Sequence, residues 1–303
     1  MRGMARVVAR VVGPLVLAGV LALMRVEAQR PAAAQRATVP APAPCVTGDP
    51  TGILIHFLDI GQGDAALLRA PDGRHLMIDA GPDRGMALRW LRTLGVDSLA
   101  LIIGSHNHLD HIGGFPAILE AMPVRNAMEN GMVTTTRIYR DFVYALERRG
   151  TTLLEATPRT LRIGGLELEV LPPWRQAKEQ NDASIGVVVR HGAFRALFTG
   201  DAELEALGHW TRAGAIPRVQ VVKVGHHGSR NATTAALVRA ARPALAVISV
   251  GAGNTYHHPH PEALALWQAP ERTVLRTDQA GTIALRGCAD GSFHLTTQRG
   301  SAR

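Results

Sequence analysis

From residue 53 onward the chain alternates short apolar runs with clusters of Gly, Asp and Pro. Apolar runs of about five residues between turn formers mark buried strands, and apolar positions three and four apart mark helices. Strands are therefore expected over 53–58, 65–69 and 75–78, separated by Gly61-Gln62-Gly63-Asp64 and Pro71-Asp72-Gly73. Met86, Leu88, Trp90, Leu91 and Leu94 give a helix over 84–94; a buried strand over 99–104 and a short helix over 114–122 follow. Residues 123–150 are mixed, with a helix over 136–149. Its Arg137, Arg140, Arg148 and Arg149 read as a solvated face, or as a basic lip for a polyanion. The second half has strands over 166–171, 185–190, 193–199, 219–224 and 245–250, then over 273–275, 281–285 and 293–297. Its helices fall over 203–210, 233–241 and 261–267. Two halves, each a group of strands followed by helices, predict an α+β fold of two sheets packed face to face with helices outside. No sequence identity between the halves is visible, so the repetition is architectural only.

The first residues do not fit this pattern. Arg2, Arg6 and Arg10 precede an uncharged apolar run over 11–24, and Val26-Glu27-Ala28 resembles a small-residue cleavage site. The run falls short of the roughly twenty residues that span a bilayer, so 1–28 reads as a signal peptide. That places the rest outside the cytoplasm, periplasmic or extracellular, or membrane-tethered if the segment stays uncleaved. Residues 29–50 are rich in Ala, Pro and Gln, a composition that buries little apolar surface and works as a linker. The folded domain is expected over 51–298.

A chain of 303 residues holds one large domain or two ordinary ones. Aromatics are only 4%, so the core must be built mainly from Leu, Val, Ile and Ala. The net charge of +8 includes Arg2, Arg6, Arg10, Arg25 and Glu27, which sum to +3, so a mature chain carries +5. That mild surplus suits an anionic substrate without proving one. Cys45 and Cys288 flank the predicted strands. In an oxidising compartment the pair could staple the linker to the domain, or they could be two unrelated thiols. Neither has metal-like spacing.

The chemistry concentrates in Ser105-His106-Asn107-His108-Leu109-Asp110-His111-Ile112-Gly113-Gly114, directly after the apolar strand. Three histidines and an aspartate on one strand-to-helix turn can converge on zinc or a similar divalent ion. Two later strands end alike, in Thr199-Gly200-Asp201 and in Lys223-Val224-Gly225-His226-His227-Gly228-Ser229. Asp201 is the candidate to bridge two ions.

These blocks resemble the metallo-β-lactamase superfamily, and more narrowly the ComEC-type hydrolase domain of DNA-uptake channel proteins. Over about 53–287 the resemblance rests on Leu58-Asp59-Ile60-Gly61-Gln62-Gly63-Asp64, Ile78-Asp79-Ala80-Gly81 and the His motif. It continues with Asn181-Asp182-Ala183-Ser184, Thr199-Gly200-Asp201, 223–229, and Asn254-Thr255-Tyr256-His257-His258-Pro259-His260-Pro261. It implies a four-layer αββα metallo-β-lactamase sandwich and one or two divalent ions, Zn or Mn. His106 and His108 would hold the first, Asp110 and His111 the second, Asp201 would bridge, and His226 would complete the second site with His227 as fallback. His258 would contact a phosphate or protonate a leaving group, or be structural. Asp110 would hold or deprotonate the nucleophile. Asp79, Asn181, Ser184, Lys223, His227 and Ser229 would support ligands or substrate, while Asp59 and Asp64 stay open between support and turn formation. The chain departs from the ComEC pattern in having His108 where Asp is common. It also departs from many superfamily members: the only His between the first motif and Asp201 is His191, in an apparent hairpin turn, so the first metal site is the weaker.

The resemblance implies an exported hydrolase using a metal-activated water, with a phosphodiester of DNA or a nucleotide as the expected substrate. The membrane channel of ComEC is absent, so DNA transport does not carry over. A lactone, thioester or β-lactam hydrolase remains open on fold alone, as does a non-catalytic metal- or DNA-binding module.

Overall fold

A computed structural model of the protein describes residues 38–46 and 51–300. The strands there are β1 (Ile53–Phe57), β2 (Ala65–Arg69), β3 (His75–Ala80), β4 (Leu99–Ile103), β5 (Val124–Met128), β6 (Thr152–Leu154), β7 (Arg159–Ile163) and β8 (Leu166–Leu171). They continue with β9 (Gly186–His191), β10 (Phe194–Phe198), β11 (Val221–Lys223), β12 (Leu245–Ile248), β13 (Thr273–Arg276), β14 (Ile283–Gly287) and β15 (Phe293–Thr297). The helices are α1 (Met86–Thr93), α2 (Leu109–Ile112), α3 (Phe115–Ala121), α4 (Arg137–Arg149), α5 (Leu204–Arg212), α6 (Ala235–Ala241), α7 (Pro261–Trp267) and α8 (Thr277–Ala280).

One sheet has the order β15-β14-β1-β2-β3-β4-β5-β6 and the other β13-β12-β11-β10-β9-β8-β7. Strand alternation explains the layers. Ile53, Ile55 and Phe57 of β1, Ala66 and Leu68 of β2, and Val187 and Val189 of β9 point into one apolar cluster between the sheets. Leu67, Met77 and Ile102 point the other way, into a second cluster under α1, α3 and α4. Val188, Leu197 and Ala246 do the same in the second sheet, under α5, α6 and α7. Three apolar interfaces make four layers, αββα, as expected. Central strands covered on both faces must be apolar throughout, which is why they read as continuous runs rather than alternating ones.

The expected halves are real but not closed. β14 and β15 return to the first sheet, where β14 pairs antiparallel with β1. The mixed stretch over 123–150 contains β5, and β6 and β7 follow it; none of the three was expected. β5 carries Arg125 and Asn126 amid its buried positions, and β6 and β7 are mostly exposed or half-buried. Strands with little buried face lack the apolar signal that pattern reading needs.

Residues 38–46 hold no helix or strand, yet Pro42 and Cys45 are buried. Thr296 donates its hydroxyl hydrogen bond to the Pro40 carbonyl, and Cys45 forms a disulfide with Cys288, beside the β14–β15 turn. The rest of the expected linker, 29–37 and 47–50, and the expected signal peptide lie outside the described residues. Among the described residues no helix is long and apolar enough to cross a membrane.

Candidate metal centre

Parallel pairing aligns β3 with β4 and β10 with β11 and β12, so their C-terminal ends share one rim of the sandwich. Open α/β sheets place ligands at that end. β4 delivers the turn carrying His106 to His111, β10 delivers Asp201 and β11 delivers His226 and His227. The tight entry of the first turn depends on Gly113 and Gly114. A Cβ at Gly113 would lie 2.5 Å from the Pro82 carbonyl oxygen, and one at Gly114 would lie 2.3 Å from that of Ala80.

One atom each from Asp110, His111, Asp201 and His227 lies within 4.8 Å of all the others. His111 Nε2 is 3.1 Å from Asp201 Oδ2 and 4.0 Å from Asp110 Oδ2. His227 Nε2 is 3.2 Å from Asp110 Oδ2 and 3.6 Å from Asp201 Oδ2. The other nitrogen of each ring is tied back. His111 Nδ1 meets Asp79 Oδ2 at 2.9 Å, and His227 Nδ1 meets the Ser249 carbonyl at 3.0 Å with Asp64 Oδ1 alongside at 3.2 Å. Such anchoring aims Nε2 into the cluster, the usual arrangement behind metal-ligating histidines. Asp79 accepts in addition from the Ser105 amide at 2.7 Å and hydroxyl at 2.9 Å, holding the start of the motif. Asp79 (φ 57°), His226 (φ 46°) and His227 (φ 52°) all occupy left-handed backbone, a strain that non-glycine residues carry chiefly at functional sites.

Protonation reflects the acid crowd. Burial alone would push His227 down, but the charges of Asp201 and Asp64 and hydrogen bonds to Asp110 and Asp64 hold it up at about 10. His111 is likewise held well above the histidine range against burial, by Asp201, Asp79 and Asp110. Asp201 sits well below the carboxylate range: burial opposes ionisation, and His111 and His227 override it. His111 Nε2 is buried and lacks an aligned hydrogen-bond partner despite its closeness to Asp201. Two nitrogens and two carboxylates around one point, with the buried His111 Nε2 left without an aligned partner, fit a divalent cation in place of those protons.

A family model described as the metallo-beta-lactamase superfamily matches residues 58–252. The chain belongs to the metallo-β-lactamase superfamily. It is 30% identical to ComE operon protein 3 of Bacillus subtilis (strain 168) over 80% of this chain and 34% of that protein. It is also 30% identical to Recombination protein 2 of Haemophilus influenzae, over 76% of this chain and 28% of that protein. The chain thus spans about a third of the length of these relatives. Among solved structures, the CmlA β-hydroxylase E377D mutant superposes with a TM-score of 0.53 at 16% identity, over 77% of this chain and 54% of that one. That likeness shows the fold alone.

Within this metallo-β-lactamase fold, the second candidate ligand set is the better formed, and of the two adjacent histidines the expected fallback joins it. His227, not His226, enters the four-ligand cluster, because the left-handed turn aims His227 inward. His226 is partly exposed, 3.8 Å from Asp201 Oδ2, with its Nδ1 3.1 Å from Glu203 Oε1. His106 Nε2 and His108 Nδ1 face each other at 3.0 Å, and the His111 ring packs against His106 with centroids 4.1 Å apart. Burial, then the charge of His111, keeps His106 well below the histidine range, so its ring is neutral. Ser184 occupies the neighbouring position: its Oγ accepts from the Asp201 amide at 3.1 Å and lies 3.5 Å from His106 Nδ1. His191 ends β9 at the hairpin with β10, as its sequence context implied.

Lys223 and Ser229 are buried away from the cleft lining. Lys223 is buried with its ammonium on Asp64, which makes Asp64 a supporting residue under His227 rather than a turn former. Ser229 is buried and caps the turn at Arg230–Ala232. A cleft of about 370 Å³ opens on the cluster, lined by Gln62, His108, Leu109, Asn181, Tyr256 and His258 among others. Burial, then the charges of His226 and His227, pushes His258 down to about 4. Asn181 donates to Glu203 Oε1 at 3.2 Å. Gln62, Tyr256 and Glu203 were not anticipated as site residues. Gln62 and Tyr256 stand in motif blocks and were findable there, whereas Glu203 has no sequence signal.

Proposed function

We propose that this protein is an exported, divalent-metal-dependent phosphodiesterase acting on nucleic acid or a nucleotide. The observation that carries the reading is the convergence of Asp110, His111, Asp201 and His227 on one point at the floor of an open cleft. The relative named for recombination supports a nucleic-acid substrate. The surplus of positive charge on the chain suits a polyanion. Export is supported by the Cys45–Cys288 disulfide, since such bonds persist in oxidising compartments.

His106 and His108 would hold one ion, Asp110, His111 and His227 another, and Asp201 would lie between them. A divalent ion bound there supplies Lewis acidity that makes hydroxide available near neutral pH. Asp110 is the half-buried member of the set, so one of its oxygens faces the cleft and can orient an incoming water and accept its proton. His111 and His227 cannot swing, because Asp79 and Ser249 hold their rings. His258 lines the same cleft, its ring centroid 6.2 Å from that of His227. With its pKa near 4 it meets substrate as a neutral ring, so it donates an N–H hydrogen bond to a substrate oxygen rather than supplying a proton.

The test is purified protein with Zn or Mn against single-stranded DNA, bis-p-nitrophenyl phosphate and nitrocefin. Chelator-reversible cleavage of the first two is expected. Cleavage of nitrocefin alone, or metal uptake with no turnover on any of the three, overturns the reading.

A further inference from the structure

Beside the candidate metal cleft lies a second cavity of about 650 Å³, lined by Pro82, Arg84, Asn107, Leu109, Thr136, Arg137, Ile138 and Asp141. The two cavities share His108 and Leu109 as a common wall. Their chemistry differs sharply. The metal cleft is carboxylate and imidazole, whereas the second cavity offers the side chains of Pro82, Leu109 and Ile138. Its two arginines do not alter this. Arg84 is ion-paired with Asp141, and Arg137 Nε lies 3.7 Å from the same carboxylate. With their heads drawn to Asp141, they present aliphatic stems to the cavity. Leu109 is held 53% exposed on the shared wall, an apolar side chain one residue from Asp110.

We propose that this cavity binds a nucleobase of the substrate while its phosphodiester sits in the metal cleft. The inference rests on the phosphodiesterase reading and adds the substrate class: a nucleoside ester rather than a compact phosphodiester. Three observations support it. The cavity falls in the size range of small-molecule sites, with mainly apolar walls and few polar groups. It adjoins the cleft at His108 and Leu109, so one molecule can reach into both. Of the parts of a nucleotide, only the base is planar and weakly polar enough to prefer such walls over water.

Two esters with the same leaving group test this: thymidine 5′-(p-nitrophenyl) phosphate and methyl p-nitrophenyl phosphate. The wild-type protein should prefer the thymidine ester. Ile138→Trp, which fills the cavity, should lower kcat/KM for the thymidine ester about tenfold or more and leave the methyl ester within about twofold. Ile138→Ala, which preserves folding if tryptophan does not, should raise KM for the thymidine ester alone. Equal effects on both esters, or no wild-type preference, overturn the nucleobase site while leaving the phosphodiesterase reading intact. A wild-type protein inert on both esters with metal bound overturns that reading and this inference with it.

Discussion

Replacing Lys223 by methionine removes the cation from a pair buried beneath the metal cluster. The Lys223 and Asp64 side chains are 4% and 6% exposed, and 159 residues separate them in sequence. Burial opposes ionisation of Asp64, and the Lys223 ammonium is the largest influence holding its carboxyl below the ordinary range. Deleting one partner of a buried pair costs about 3–5 kcal/mol, because the other charge is left uncompensated. Here the His227 ring, 3.2 Å from the second carboxylate oxygen, offsets part of that, so the lower end applies: about 3 kcal/mol. With roughly 2.1 cal/mol/K of unfolding entropy per residue over about 250 ordered residues, the entropy is about 0.5 kcal/mol/K, and Tm should fall by about 6 °C. Thermal unfolding followed by far-UV circular dichroism in chelator reads this directly. The double variant Lys223→Met/Asp64→Leu, which removes both charges, should recover most of the loss. A single variant that loses less than about 2 °C, or a double variant no more stable than the single, would refute the argument that a paired charge is what Lys223 supplies.

Four further outcomes follow from the geometry. His227→Ala should weaken zinc binding in calorimetry by about 10–100-fold or more, while His226→Ala should weaken it much less; the reverse order would return the ligand role to His226. Asp79→Ala should lower metal affinity about 10–100-fold without touching the metal, and unchanged affinity would deny that it orients His111. Cys45→Ser/Cys288→Ser should lose about 2–4 kcal/mol in denaturant unfolding, since the bond closes a loop of 243 residues; equal stability with and without the bond would refute it. His56 is buried, its Nδ1 lacks a hydrogen-bond partner, and burial then the nearby His75 push it down to about 4. Between that value and the unfolded 6.5 only the unfolded chain takes the proton, so stability falls as pH drops from 6.5 to 4, by about 3 kcal/mol in full. His56→Leu should flatten that slope, and an unchanged slope would assign the acid sensitivity elsewhere.

The motif from His106 to His111 was legible because one short turn carries all of it, directly after a strand whose apolar run is unmistakable. Strands such as β2 and β8 were legible for a similar reason: each is bounded by turn formers and buries at least one face. β5 to β7 were not, because their burial comes from neighbours rather than from their own composition. The order of His226 and His227 was illegible for a sharper reason. Two adjacent histidines after a strand look alike, and the backbone at φ 46° and 52°, not any helical or strand period, decides which ring turns inward.

The residue pattern alone determined two packed sheets with helices outside, the strand-end placement of the candidate metal-ligating groups and Asp201 as the acid between the two His clusters, because each depends on periodicity or on position relative to a strand end. Tertiary structure decided the rest: that Asp64 and Lys223 neutralise each other under His227, that Asp79 aims His111, that Cys45 reaches Cys288, and that an apolar cavity adjoins the metal cleft. Each of these joins groups from separate strand ends or loops, and pairing over such distances is set by how the two sheets stack, which no local pattern encodes.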